Sequence, residues 1–170
     1  IVATSGKYYF EATSQGIASG TEQAAYVSPN NSACAYQSNG VIYGCTGGSG
    51  STYSVGDTIG VAFDVDNQTV AFYLNGTIQG GTRNITTVSI FKPMVSMSHA
   101  GSGWSINFGQ QNFVNTPPPG FNTLNTYNLP STSIIQGSQH MMATTYVGDN
   151  TFPKNVVAGL AFPPGLAWIK

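Results

Sequence analysis

From Thr58 to Leu74 apolar and polar or small residues alternate, with Ile59, Val61 and Phe63 on one parity and Val70, Phe72 and Leu74 on the matching parity beyond a polar turn. A period of two marks a β-strand with one buried face. Placing Asp66-Asn67 at a two-residue turn pairs Phe63 with Val70, Val61 with Phe72 and Ile59 with Leu74, so one face of the predicted hairpin is wholly apolar. The other face carries Gly60 with Tyr73, Ala62 with Ala71 and Asp64 with Thr69, largely small groups that leave room for another strand or loop. Asn75-Gly76 follows directly and supplies a second hairpin turn into Thr77-Ile78-Gln79.

β-branched and aromatic runs, cut by Gly, Pro, Asn, Ser and Thr, predict further strands at Tyr8 to Thr13, on both arms around Asn39-Gly40, at Lys92 to Ser98 and at Trp104 to Phe108. Helical periodicity is interrupted in nearly every window, and the chain reads as all-β. With Asn39-Gly40 at a two-residue turn, Ser38 faces Val41, Tyr36 faces Tyr43 and Cys34 faces Cys45. That register makes a cross-strand disulfide feasible and equally admits two reduced, half-buried thiols.

Beyond Phe113 the texture changes to Asn115-Thr116-Pro117-Pro118-Pro119-Gly120, a stiff segment poor in backbone donors. The organisation expected is a sandwich over 1–114, a Pro-rich strap over 115–126 that completes or leaves it, and a short β segment over 127–170 with strands at Met141 to Val147, Asn155 to Leu160 and Gly165 to Lys170. Forty-odd residues are marginal for an independent core. Phe162 and Trp168 are therefore expected to bury against a neighbour.

Charged residues make up 6% of the chain, and their place is taken by Ser, Thr, Asn, Gln and 21 Gly. A net charge of -1 with five Lys and Arg leaves no basic footprint for phosphates, so nucleic acid is excluded as a partner. Membrane insertion is not expected, because no apolar run approaches the roughly 18 residues of a spanning helix.

The six carboxylates, Glu11, Glu22, Asp57, Asp64, Asp66 and Asp149, form no pair on one strand face of the kind glycoside hydrolysis needs. His99 and His140 stand beside no nucleophile elbow. Asp64, Asp66 and Asn67 offer oxygen ligands, yet their place in a hairpin assigns them to turn chemistry rather than calcium. No catalytic residue, metal or cofactor is expected.

Gly6-Lys7-Tyr8-Tyr9-Phe10-Glu11, the run Val55-Gly56-Asp57-Thr58-Ile59-Gly60, Phe72-Tyr73-Leu74-Asn75-Gly76, and Ile106-Asn107-Phe108-Gly109 occur in the order typical of SPRY domains. The chain resembles that family, which implies a two-sheet antiparallel β-sandwich, a concanavalin-like jelly roll, here followed by a short C-terminal β segment. The continuation through Gln110-Gln111-Asn112-Phe113, the prolines, Tyr146-Val147-Gly148-Asp149 and the ending Leu166-Ala167-Trp168-Ile169-Lys170 is similar to SPRY-bearing bacteriophage tail-fibre and other virion proteins. Both ends read as cut from a longer protein.

That resemblance implies a non-catalytic adhesion or decoration module on a tail fibre, tail spike or capsid appendage, located at the virion surface. Its partners would be other virion subunits, further copies of itself and host surface glycans. A secreted carbohydrate-binding or surface-filament subunit of cellular origin is the reading from a different class. Such sandwiches bind through loops at one end, and Tyr36, Tyr43, Tyr53, His99 and Trp104 fall near predicted strand ends, which makes them the candidate ligand-binding residues.

Overall fold

The computed structural model describes residues 3–17, 22–27, 33–46, 48–85, 91–97 and 99–129. The described strands are β1 (Lys7–Gly16), β2 (Gln23–Val27), β3 (Ala33–Gln37), β4 (Ile42–Tyr43), β5 (Thr58–Asp64), β6 (Thr69–Leu74), β7 (Thr77–Asn84), β8 (Lys92–Ser96), β9 (Gly103–Asn107) and β10 (Asn122–Thr123). The strands expected from Met141 onward, and the burial expected of Phe162 and Trp168, lie outside the described residues.

β5 and β6 carry the register that the alternation dictates: Ile59 pairs with Leu74, Val61 with Phe72 and Phe63 with Val70. Five of those six side chains are fully buried, and Leu74 packs at the rim of the same core. The turn is wider than the two residues expected, since the last pair is Asp64 with Thr69 and Val65 to Gln68 form the loop. Asp64 causes this. Its carboxylate accepts Asn67 N at 3.0 Å and Asn67 Nδ2 at 2.7 Å, while Gln68 takes the left-handed φ of 52°. The next turn does have two residues, with Asn75 and Gly76 both left-handed between Leu74 and its partner Thr77.

The first sheet runs β10-β1-β5-β6-β7, with β9 also paired to β1. β10 lies parallel to β1 at Tyr8 and Tyr9, and β9 lies antiparallel to it from Glu11 to Gly16. The second sheet runs β4-β3-β2-β8. Between the two sheets lie Tyr8, Phe10, Ile59, Val61, Phe63, Val70 and Phe72 from one side, facing Ala24, Cys34, Tyr36 and Phe91 from the other. Phe63 stacks on Phe91 at 5.2 Å and Tyr36 meets Phe72 at 5.9 Å, so aromatic contacts join the layers. Burial of this apolar surface is the main stabilising term of such a core.

The far face of the first sheet is covered by the chain beyond β9. Phe113 packs edge-on against Tyr9 at 5.0 Å, and the Glu11 carboxylate accepts Val114 N and Asn115 N, each at 2.8 Å. The proline segment then leads to β10 and the fully buried Leu124, and Asn128 O accepts the Tyr8 hydroxyl at 2.9 Å. The strap is thus held by an acceptor, the Glu11 carboxylate, and by a donor, the Tyr8 hydroxyl, that the sheet provides.

The hairpin around Asn39-Gly40 requires a correction. Ala35 pairs with Tyr43 and Tyr36 with Ile42, one residue out of the expected register. Gln37 N bonds Val41 O at 2.9 Å, and Gly40 N, at a residue of φ 89°, bonds Gln37 O at 3.0 Å. The loop therefore has three residues, Ser38 to Gly40, with glycine at the left-handed position that such loops require. A one-residue slip exchanges the faces. Tyr36 points into the core and Tyr43 outward, 40% exposed.

Candidate functional site

Four loops meet at the end of the sandwich where β1 finishes. Ser38 N, in the β3–β4 loop, bonds Glu22 O at 3.0 Å, and Tyr53 N, in the β4–β5 loop, bonds Ser38 O at 3.0 Å. Gly50 N bonds Gly40 O at 2.8 Å. The β8–β9 loop joins through Ser102, whose hydroxyl donates to Glu22 Oε1 at 2.8 Å. Gly16 is required where β1 meets this loop, because a Cβ there would sit 1.9 Å from Gly101 O. Glu22 is fully buried and also accepts the Ser38 hydroxyl at 3.3 Å, so one carboxylate ties three loops together.

Tyr53 lies beneath them. Its hydroxyl donates to Glu22 O at 2.7 Å and Tyr36 O at 3.2 Å, and its ring is 5.2 Å from that of Tyr36 and 6.0 Å from Trp104. Tyr36 in turn donates to Ser51 O. Burial drives the Tyr53 pKa well above the usual phenol value, and burial followed by the negative charge of Asp57 pushes Tyr36 up to about 12. Both phenols act as neutral donors to backbone carbonyls. Trp104, half-buried, donates Nε1–H to Ser96 O at 3.0 Å.

Three of the five aromatic candidates are therefore brought together, but as the floor of the loops. Tyr36 and Tyr53 are core side chains whose ring faces contact other rings and are closed to a ligand. His99 is exposed in the β8–β9 loop, and its carbonyl accepts Ser102 N at 3.1 Å. Tyr43 stands on the outer face of the second sheet, where its hydroxyl reaches across β3 to Gln23 Oε1 at 2.7 Å. Cys34 and Cys45 form a disulfide with Cα atoms 5.2 Å apart, joining β3 to the stretch that follows β4.

At the surface of the loop end stand Asn39, Thr52, Val55, Met97 and His99, all exposed and none of them Asp, Glu, Lys or Arg. Of the two carboxylates described there, Glu22 is buried as above, and the partly exposed Asp57 accepts Ser54 N at 2.7 Å and Asn75 Nδ2 at 2.8 Å. Lys7, Asp64, Asp66 and Lys92 lie toward the opposite end, as the pairing of β1 with β5 and of β8 with β2 requires. Among the described residues no three His, Cys, Asp or Glu side chains converge as a metal site. Sequence reasoning missed the Glu22 tie, because its partners at 38 and 102 are serines, ordinary loop residues with no spacing signal.

The SPRY domain model matches residues 7–111. No curated relative matches at the level of sequence. Among solved structures, the crystal structure of the SPRY domain of human HERC1 is similar, with a TM-score of 0.54 and 20% identity over 66% of this chain and 80% of that one. That likeness concerns the fold, and it agrees with the two packed sheets described above. With the family model spanning β1 to the residues after β9, this chain belongs to the SPRY domain family.

Proposed function

We propose that this SPRY domain is a non-catalytic recognition module carried on a virion appendage such as a tail fibre, and that it docks through the loop end of its sandwich onto a neutral ligand, a host surface glycan. The observation that carries the reading is a loop-end surface on which Asn39, Thr52 and His99 offer hydrogen-bonding groups beside Val55 and Met97, with no Lys or Arg among the described residues there. Fold alone does not give function, so the argument rests on this chemistry. The five described carboxylates support the non-catalytic part: Glu11 holds the strap, Glu22 and Asp57 hold loops, Asp64 holds a turn and Asp66 accepts Gly6 N at 3.0 Å.

SPRY domains often serve as protein-interaction modules, so a protein receptor is the second occupant of the same surface. The Cys34–Cys45 disulfide favours life outside a reducing cytoplasm, which suits a virion and a secreted cellular subunit equally. A glycan array read with a multimerised domain tests the ligand, since many copies can raise weak binding by about 10²–10⁴-fold. Binding that is lost in a Thr52→Arg, His99→Glu double variant supports the loop end. Absence of any glycan signal, or a signal indifferent to that variant, removes the glycan reading. Labelling of intact phage particles by an antibody to the domain tests the virion assignment.

A further inference from the structure

Asn-Gly occurs twice in the chain, at Asn39-Gly40 and Asn75-Gly76, and the two asparagines are held differently. The pair has a chemistry of its own. Glycine carries no side chain to shield its backbone nitrogen, which can approach the amide carbon of the asparagine before it.

At the β6–β7 turn, Asn75 is clamped to the start of β5. Its Oδ1 accepts Thr58 N at 2.9 Å and its Nδ2 donates to Asp57 Oδ1 at 2.8 Å, so another segment holds both ends of the amide. At the β3–β4 loop the exposed Asn39 bonds its own chain instead, with Oδ1 accepting Val41 N at 3.0 Å. The ring closed by that bond contains both Asn39 Cγ and Gly40 N, and it folds the amide carbon back along the Asn39–Gly40 peptide. The Val41 N–H also polarises the Cγ carbonyl and is placed to stabilise an oxyanion formed there. Gly40 N donates to Gln37 O at 3.0 Å at the tip of a three-residue loop, so a local opening is enough to free it. Glycine is itself required at this position, because its φ is 89° and a Cβ would sit 2.7 Å from Gly50 O.

We propose that Asn39 is a site of spontaneous modification in the folded protein, converting through a cyclic imide to aspartate and isoaspartate, while Asn75 is protected by its clamp. Gly40 N attacks Asn39 Cγ, an N–C bond forms and the nitrogen's proton goes to solvent. The Cγ–Nδ2 bond then breaks, and ammonia leaves with a proton taken from solvent. Water opens the imide at either carbonyl. Opening at Cγ gives aspartate on the original backbone, and opening at the Asn39 backbone carbonyl gives a chain that runs through Cγ. One water is consumed and one ammonia released, with no oxidation or reduction. Either product adds a negative charge at the tip of the β3–β4 loop. Isoaspartate also lengthens the backbone beside Gly40, whose carbonyl accepts Gly50 N at 2.8 Å, and so loosens this loop from the β4–β5 loop. The modification stands independently of any ligand at the loop end.

The test is peptide mapping by mass spectrometry of the intact chain aged in mildly alkaline buffer made with oxygen-labelled water, the label separating ageing from reaction during digestion. In the folded chain the peptide holding Asn39 is expected to take up label at least about tenfold faster than the peptide holding Asn75. In the urea-unfolded chain, where the clamp is gone, the two should react at equal rates. Equal rates in the folded chain, a faster rate at Asn75, or reaction at Asn39 on unfolding alone overturns the proposal.

Discussion

The Tyr9 ring lies across Gly60 so closely that a Cβ at that glycine would sit 2.3 Å from the hydroxyl and 2.8 Å from the ring. Tyr9 pairs with Ala62, beside Gly60 on the same strand, and is held from two other directions by Glu11 at 3.1 Å and the edge of Phe113. Burial, followed by the adjacent Glu11 charge, raises its pKa far above the usual phenol value, so it stays a neutral donor.

Gly60→Ala therefore forces either the tyrosine or the β5 backbone to move. Gly60 has no left-handed φ, so the cost is the contact alone. A loss of about 1–3 kcal/mol is expected by denaturant unfolding, as for other overpacked sites. A variant as stable as the parent would mean that Tyr9 swings away freely.

Glu11 is the second test of the covered face. Its carboxylate receives Val114 N, Asn115 N and Asn115 Nδ2 as well as the Tyr9 hydroxyl, at 2% exposure. Glu11→Gln keeps one acceptor oxygen and replaces the other by a donor facing donors. The expected loss is about 1–3 kcal/mol. Hydrogen exchange should quicken first at Val114 and Asn115, ahead of β5 and β6, and uniform quickening would show that the strap has no separate anchorage.

Acid should act through Asp64. Burial works to raise its pKa, but the two Asn67 hydrogen bonds and the Lys7 ion pair at 3.0 Å outweigh it and leave the carboxyl below its usual value. The unfolded chain thus takes up this proton more readily than the folded one. The stabilisation is present above the unfolded pKa near 3.8 and fades as pH falls through the lower folded value. The stability gap between the parent and Asp64→Asn should shrink from about pH 6 to about pH 2, and a gap unchanged over that window would remove Asp64 from the acid response.

How far the chain could be read in advance follows from where periodicity reaches. β5 and β6 were legible down to the pairing of Ile59 with Leu74 because both strands are buried on the face their parity selects. The first turn misled by width alone, since Asp64 prefers to cap Asn67 rather than extend the ladder. At Asn39-Gly40 the same signal gave the wrong register, because glycine also serves the third position of a three-residue loop and the flanking Cys34, Ala35 and Tyr36 are all buried. With no polar alternate to fix parity, Tyr36 and Tyr43, expected to share a face, lie on opposite ones. Tyr53 sits in a stretch without regular structure, where no period could report that its ring is 3% exposed. β2 escaped notice because Gln23-Ala24-Ala25 has low strand preference and gains its place from neighbours on both sides.

The disulfide gives the last prediction, and it follows from what the bond ties rather than from its presence. Cys34 is fully buried in β3, and Cys45 begins the stretch that carries Thr46 to Arg83, and Gly50 and Ser51 to Tyr36 and Gln79. Apart from the bond, the start of this stretch is held by hydrogen bonds from single side chains, while Ser51 and Tyr53 are anchored on the core. Closing 11 residues of chain restricts the unfolded state enough to be worth about 2–3 kcal/mol. Reduction, or Cys34→Ala with Cys45→Ala, should lower the denaturant midpoint accordingly. It should also raise hydrogen exchange at Thr46 and Gly48 while Tyr53 and the β5–β6 hairpin stay protected until global unfolding. Equal midpoints with and without reductant would show that the loop is held by Arg83 and Gln79 alone.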